Sequence, residues 1–319
     1  MTTPLPLLLV GHGTRSSAGV AEFGRLAGRV RARARAAWRV PAVEGGFIEL
    51  AAPSVAGAVA RLVRAGHLEA AAVPLVLTAA GHGKGDIPAA LARERARHPG
   101  LRVRYGRPLG PHPVLQDLLA ARIESALAGA DRRRTHIVLA GRGSTDPDAN
   151  AEVAKVARLL WEGRGYSGVE LSFISLAEPS VPAVLDKVRR LGARRVVVAP
   201  YFLFPGVLPD RVTAQSREFA ADHTAIDVRV AGLIGDCDEL ADLALERYHE
   251  AVRGDIRMNC DTCAYRVALP GFADKVGRPQ TPHHHPDDLS PHRGDPAHGD
   301  HVHPETAAAL GGSFREILP

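Results

Sequence analysis

A chain of 319 residues has room for about two domains of roughly 150 residues each, and with 45% hydrophobic but only 5% aromatic residues its cores must be aliphatic. The formal net charge of +5 is mild, and without a basic stripe interleaved with aromatics it excludes nucleic acid as the expected partner. No apolar run reaches the roughly 18 residues of a membrane span, Met1-Thr2-Thr3-Pro4 lacks the basic start of a secretory signal, and three cysteines are too few for a disulfide framework; a cytoplasmic protein is expected.

In chain order, Leu5–Val10 reads as a buried strand and Ser17–Ala36 has helical periodicity. Val43–Leu50 is the next strand, and Pro53-Ser54 opens a helix ending near Gly66. A strand at Ala70–Leu77, a helix at Ile87–His98 closed by Pro99-Gly100, a strand at Leu101–Tyr105 and a helix at His112–Ala128 complete the first half. The cycle then restarts. Strands near His136–Ala140, Val169–Ser175, Arg195–Phe204 and Ile226–Ala231 alternate with helices near Pro147–Gly163, Pro179–Leu191, Pro209–Ala221 and Cys237–Val252. Alternation of this kind with short links predicts α/β architecture: two similar doubly wound α/β/α domains with parallel sheets, related by an internal repeat. Their expected limits are 1–130 and 131–255, joined near Gly129–Arg134, followed by a segment at 256–319. Ser54 and Ser180, each beside a proline, are expected to cap their helices.

The repeat is legible residue by residue. Val10-Gly11-His12-Gly13-Thr14 returns as Ala140-Gly141-Arg142-Gly143-Ser144, an offset of 130, while Ala52-Pro53-Ser54-Val55 returns as Glu178-Pro179-Ser180-Val181, an offset of 126. Pro74-Leu75-Val76-Leu77 matches Pro200-Tyr201-Phe202-Leu203, also at 126, so one short loop change separates the two copies. The copies differ in chemistry. Where the first has His12, Glu49 and Gly81-His82-Gly83, the second has Arg142, Ser175 and Phe204-Pro205-Gly206-Val207. Imidazoles at strand ends of a parallel sheet face the crevice where ligands bind, and neutral imidazole is the commonest protein ligand for divalent metals. The first copy therefore carries the metal-type ligands.

Other motifs fall short. Gly11-His12-Gly13 has Ser16 where a dinucleotide fingerprint needs its third glycine, and Gly83-Lys84 is followed by Gly85 where a phosphate loop needs Ser or Thr. A histidine-phosphatase reading of Gly11-His12-Gly13-Thr14-Arg15 lacks the arginine that precedes the nucleophile in that family.

Taken together, Gly11-His12-Gly13-Thr14, Phe47-Ile48-Glu49-Leu50 with Ala52-Pro53-Ser54, His82 with Asp86-Ile87-Pro88, Ala177-Glu178-Pro179-Ser180 and Pro200 to Gly206 resemble the sirohydrochlorin chelatases. These are lyases that insert cobalt or ferrous iron into sirohydrochlorin without ATP, on the routes to cobalamin and siroheme. The resemblance implies a tetrapyrrole cleft between two α/β domains, with His12 and His82 binding the incoming metal and Glu49 as their carboxylate partner. The chemistry agrees: two imidazoles and a carboxylate suit cobalt or ferrous iron, leave coordination open for the macrocycle, and can accept a pyrrole proton. Sirohydrochlorin is a polycarboxylate, so Thr14, Arg15, Ser16, Ser17, Lys84 and Arg142 are candidate substrate anchors. The expected assembly is a monomer or homodimer. The non-enzymatic alternative is a metal-storage or delivery protein.

Beyond Gly254 the composition changes. Met258-Asn259-Cys260-Asp261-Thr262-Cys263 resembles a Met-x-Cys-x-x-Cys motif of longer cobalt-inserting members, where it is linked to an iron–sulfur cluster. Two thiolates are too few for a cluster by themselves, so Cys260 and Cys263 equally suit zinc together with tail histidines. Seven histidines between 278 and 304, among many prolines, predict a disordered metal-collecting tail.

Overall fold

In a computed structural model the described residues are 4–254 and 273–278. Cys260, Cys263 and the histidine-rich tail, with the expectations placed on them, lie outside these residues. The first repeat runs β1 (Leu7–Gly11), α1 (Ser17–Arg33), β2 (Val43–Phe47), α2 (Val55–Arg64), β3 (Glu69–Pro74), α3 (Ile87–Arg97), β4 (Arg102–Tyr105) and α4 (Pro113–Leu127). The second runs β5 (His136–Gly141), α5 (Pro147–Trp161), β6 (Gly168–Phe173), α6 (Val181–Arg190), β7 (Arg195–Pro200), α7 (Val207–Asp222), β8 (Asp227–Val230) and α8 (Asp238–Arg253). Each forms a four-stranded parallel sheet, in the orders β2-β1-β3-β4 and β6-β5-β7-β8. The two doubly wound α/β units expected from the alternation are the observed architecture.

Strand register locates the drift between the repeats. Leu7 pairs with Val43, 36 positions on, whereas His136 pairs with Gly168, 32 positions on. The first repeat therefore holds four more residues between its first two strands. They coincide with a five-residue π-helical turn, Ala34–Trp38, added to the end of α1.

Local chemistry sets the other boundaries. Ser16 Oγ accepts the Gly19 N–H and Ser54 Oγ accepts the Gly57 N–H, the N-cap bonds that start α1 and α2. Ser180 departs from expectation. Its side chain makes no cap bond, while its own backbone N–H donates to Glu178 Oε2. β2 stops at Phe47, three residues short of the expected strand, because the chain turns sharply at Leu50.

Both faces of each sheet are buried, and the pleat distributes side chains between two kinds of core. In β1, Leu8 and Val10 point to an outer core under α2 and α3, while Leu7 and Leu9 point to a central core. In β5, Val138 and Ala140 join the outer core under α6 and α7, and Ile137 and Leu139 join the same central core. The last helix of each repeat packs across that centre. α4 lies on β7 and β8 of the second sheet, and α8 lies on β3, β4 and α1 of the first. In α8, fully buried Arg247 donates to the carbonyls of Pro108 and Leu109, and the Tyr248 hydroxyl donates to Leu5 O. The repeats are thus joined by an exchange of helices, and the carboxyl ends of their strands face one cleft.

Candidate active site

The cleft has a volume of about 490 Å³ and is walled by both repeats. Phe23, Phe47, Leu75 and Leu77 line it from one side, Tyr201, Leu203 and Phe204 from the other, so most of the wall is apolar. The two sides touch at one edge: a Cβ added to Gly19 would lie 2.4 Å from Pro205 O, so only glycine lets α1 approach the β7–α7 loop this closely.

Three strand ends of the first sheet deliver the predicted ligands to the same place. His12 follows β1 directly. Beyond β2 the chain keeps pairing with it for two more residues, through Ile48 N–H to Gly11 O and Glu49 N–H to His12 O, both at 3.1 Å, before Leu50 turns with φ of 63°. That pairing sets Glu49 beside His12. It also explains Gly13, whose φ is 115° and whose added Cβ would stand 1.9 Å from Glu49 O. Gly143 repeats the arrangement against Ser175 O, at 1.8 Å, with Arg142 and Ser175 standing where the first repeat has His12 and Glu49. The flanking glycines therefore serve the backbone, and the histidine is the variable part of the motif.

A third ligand arrives after β3, where His82 opens a five-residue π-helical turn, His82–Asp86, that runs into α3. Its Nδ1–H donates to Asp86 Oδ2 at 2.6 Å, which fixes the ring's orientation and tautomer. Both side chains are buried, with His82 8% exposed and Asp86 6%. His12 Nδ1 lies 3.1 Å from Gly13 O, and its Nε2 is hydrogen-bonded to Glu49 Oε1, 2.7 Å away. The His12 and His82 rings meet edge to face, 4.0 Å between centroids. Among the described residues no three His, Cys, Asp or Glu side chains already stand as a metal-holding group, since the imidazoles and carboxylates here are closed on one another in pairs.

The anchors expected from the sequence divide. Thr14, Arg15 and Arg142 line the cleft. Ser16 is turned away into the cap of α1. Lys84 is largely buried, and its ammonium donates to Asp146 Oδ2 at 2.7 Å and Asp148 Oδ2 at 3.0 Å on the second repeat. Four buried acids around the His82 turn, Asp86, Asp146, Asp148 and Glu152, were not among the predicted site residues. Asp86 was legible as the i+4 partner of His82, and Asp146 as an N-cap before Pro147; Asp148 and Glu152 gave no signal separable from an ordinary helix surface.

Two buried groups make stability depend on pH in opposite senses. Burial lowers the His82 pKa to about 4, against the Asp86 bond that raises it and with the charges of His12 and Arg142 lowering it further. The unfolded imidazole titrates near 6.5, so stability from this group is complete above about pH 6.5 and is lost as pH falls through 4, about 3 kcal/mol in all. Glu152 is raised to about 7, first by burial, against the Ala79 N–H bond that lowers it. Its contribution is complete below about pH 4.5 and lost as pH rises through 7. In metal-free protein His82→Gln should therefore gain stability relative to wild type as pH falls from 6.5 to 4, and Glu152→Gln should gain it as pH rises from 4.5 to 7. Urea midpoints across pH check both, and pH-independent differences would show that neither group is perturbed.

The glycine geometry yields another expected result. Gly13→Ala and Gly143→Ala should each cost roughly 3 kcal/mol, through the clash and the left-handed φ together. Only Gly13→Ala should separate Glu49 from His12. Unfolding midpoints, with metal-insertion rates of whatever fraction remains folded, check this; an unchanged midpoint in either variant would mean that the loops part at no cost.

A sequence model of one family, CbiX, matches residues 6–126 and again 136–251, most of the chain. The chain belongs to the CbiX family. A sirohydrochlorin cobaltochelatase of Priestia megaterium is 35% identical over 73% of this chain and 76% of its own length. A sirohydrochlorin ferrochelatase of Bacillus subtilis is 29% identical over 82% of this chain and 98% of its own. The structure of SirB from Bacillus subtilis with Fe3+ superposes with a TM-score of 0.70 at 27% identity, covering 79% of this chain and 97% of that one. SirB from subspecies spizizenii, in complex with cobalt, superposes with a TM-score of 0.65. These two SirB structures thus share the two-sheet fold, one of them with Fe3+ and the other with cobalt. No described helix is long and apolar enough to cross a membrane.

Proposed function

We propose that this chain is a sirohydrochlorin chelatase, a lyase that inserts Co2+ or Fe2+ into sirohydrochlorin without ATP. The observation that carries the reading is the convergence of His12, Glu49 and His82 at one end of an apolar, two-walled cleft, in a chain whose family relatives bear that activity. The apolar walls suit the flat macrocycle, while Arg15, Arg142 and Thr14 at the cleft suit its carboxylates, because guanidinium pairs with carboxylate in two parallel bonds.

Insertion exchanges one divalent ion for two pyrrole protons. The metal must first be held by groups weak enough to release it. His82 suits this, because burial keeps it neutral and its Nε2 is directed by Asp86. The His12–Glu49 pair would release its shared proton to solvent as it takes the metal, and once the metal has passed to the macrocycle the same pair can take up one of the two pyrrole protons, the other leaving to solvent. The cytoplasmic location, and a monomer or homodimer, belong to the same reading.

Purified protein mixed anaerobically with sirohydrochlorin and either ion should lose the absorbance of the metal-free macrocycle without added nucleotide. No change with either metal would refute the reading. Competition between the ions at equal free concentration identifies the preferred one.

A further inference from the structure

The ligand-bearing loop of the first repeat is gripped by a helix of the second. Ala79 N–H donates to Glu152 Oε2 at 2.8 Å, and five residues later Lys84 Nζ donates to Asp146 and Asp148. His82 lies between these two anchor points. All three acids belong to the first two turns of α5 or its cap: Asp146 is the N-cap residue, its Oδ1 accepting the Asp148 N–H, and Glu152 follows one turn after Asp148. They are 7%, 2% and 4% exposed. Burying three carboxylates and one ammonium is costly unless each is paired, so an ordinary helix–loop contact would be made with apolar side chains. What the charges add is direction. An apolar contact can slide, whereas an ammonium shared by two carboxylates and an amide bonded to a third set the position and rotation of the turn between them. Within the first repeat the turn is also met by the Tyr105 hydroxyl, which donates to Gly83 O, by Asp86 and by the edge of the His12 ring.

We propose that Lys84, Asp146, Asp148 and Glu152 are positioning residues that orient the metal ligand His82 across the repeat boundary. On this view the second repeat, which lacks the metal-type ligands, governs metal capture by the first. Lys84 acts through His82 and does not hold the tetrapyrrole. The inference rests on His82 being a metal ligand, as read above.

Co2+ titration of the protein without tetrapyrrole tests it, since the visible d–d bands report the symmetry and number of ligands independently of turnover. Two variants loosen the grip without stranding a charge: the triple variant Lys84→Met, Asp146→Asn, Asp148→Asn, and Glu152→Met. Each should bind Co2+ at least ten-fold more weakly, with altered d–d bands, and should raise KM for metal while leaving KM for sirohydrochlorin within about two-fold. Lys84→Arg, which keeps the charge and can reach both aspartates, should stay within about three-fold of wild type. His82→Ala is the control that separates the two readings. If it binds Co2+ like wild type, the ligand assignment itself fails. If it loses Co2+ while a folded Glu152→Met or triple variant retains wild-type affinity and bands, the positioning role is refuted and the cluster is structural only. Glu152→Met decides alone should the triple variant not fold.

Discussion

His12→Ala and His82→Ala should each lower the rate of metal insertion by at least about 100-fold, and neither should unfold the protein. Removing even a residue that only supports a metal ligand costs 10- to 100-fold in affinity or activity, and these two are read as ligands themselves. The fold does not depend on them. His12 occupies a position where the second repeat carries Arg142 with the same backbone pairing, Ser175 N–H to Arg142 O at 3.0 Å, so that strand end forms without an imidazole. Removing His82 also removes a group whose burial opposes its protonation, and in acid that stabilises the variant. Arg142→Ala should reduce insertion less, by raising the KM for sirohydrochlorin. Anaerobic stopped-flow absorbance with circular dichroism of each variant checks all three. Wild-type turnover in both histidine variants would refute the site.

A chain ending at Asp236 should not fold. The missing α8 places Leu240, Leu243, Leu245, Tyr248 and Val252 in the central core, each 5% exposed or less. At about 1.5–3 kcal/mol for burying each large side chain, five amount to roughly 8–15 kcal/mol. That matches the whole stability of an ordinary domain, about 5–15 kcal/mol. The loss would fall on the first repeat although the deleted residues belong to the second, since α8 covers β3, β4 and α1. The Pro108 and Leu109 carbonyls would lose Arg247 as well. Deletion from Gly277 onward, by contrast, should leave the unfolding transition in place. Denaturant curves of the two truncations distinguish them, and cooperative unfolding of the shorter chain near the wild-type midpoint would show that the exchanged helix is dispensable.

Much of this molecule is written locally. Parallel α/β architecture follows from aliphatic strands alternating with amphipathic helices, because a parallel strand needs a helical crossover and buries both faces. The internal repeat and the loss of His12 and Glu49 counterparts in its second copy can be read by aligning the chain with itself, and that asymmetry marks the first repeat as the one with metal chemistry. A cap such as Ser54 depends on a bond three residues long and is equally legible, whereas Ser16, expected as a substrate anchor, proved to be the cap of α1. Ser180 shows the limit, since its hydroxyl makes no cap bond although it sits at the same place in the repeat as Ser54.

Tertiary structure decided what depends on residues far apart in the chain. Nothing in the periodicity of α4 or α8 says which sheet each will cover, because an apolar stripe fits any apolar face and the choice lies in the global packing. Lys84 carries the same charge whether it meets a substrate carboxylate or an aspartate 62 or 64 residues away, and only the fold showed the second. The pairing of His12 with Glu49 likewise required β1 and β2 to be neighbours, and Gly13 to admit the carbonyl of Glu49. Residue types in sequence name the available donors and acceptors; the backbone path through space selects which of them meet.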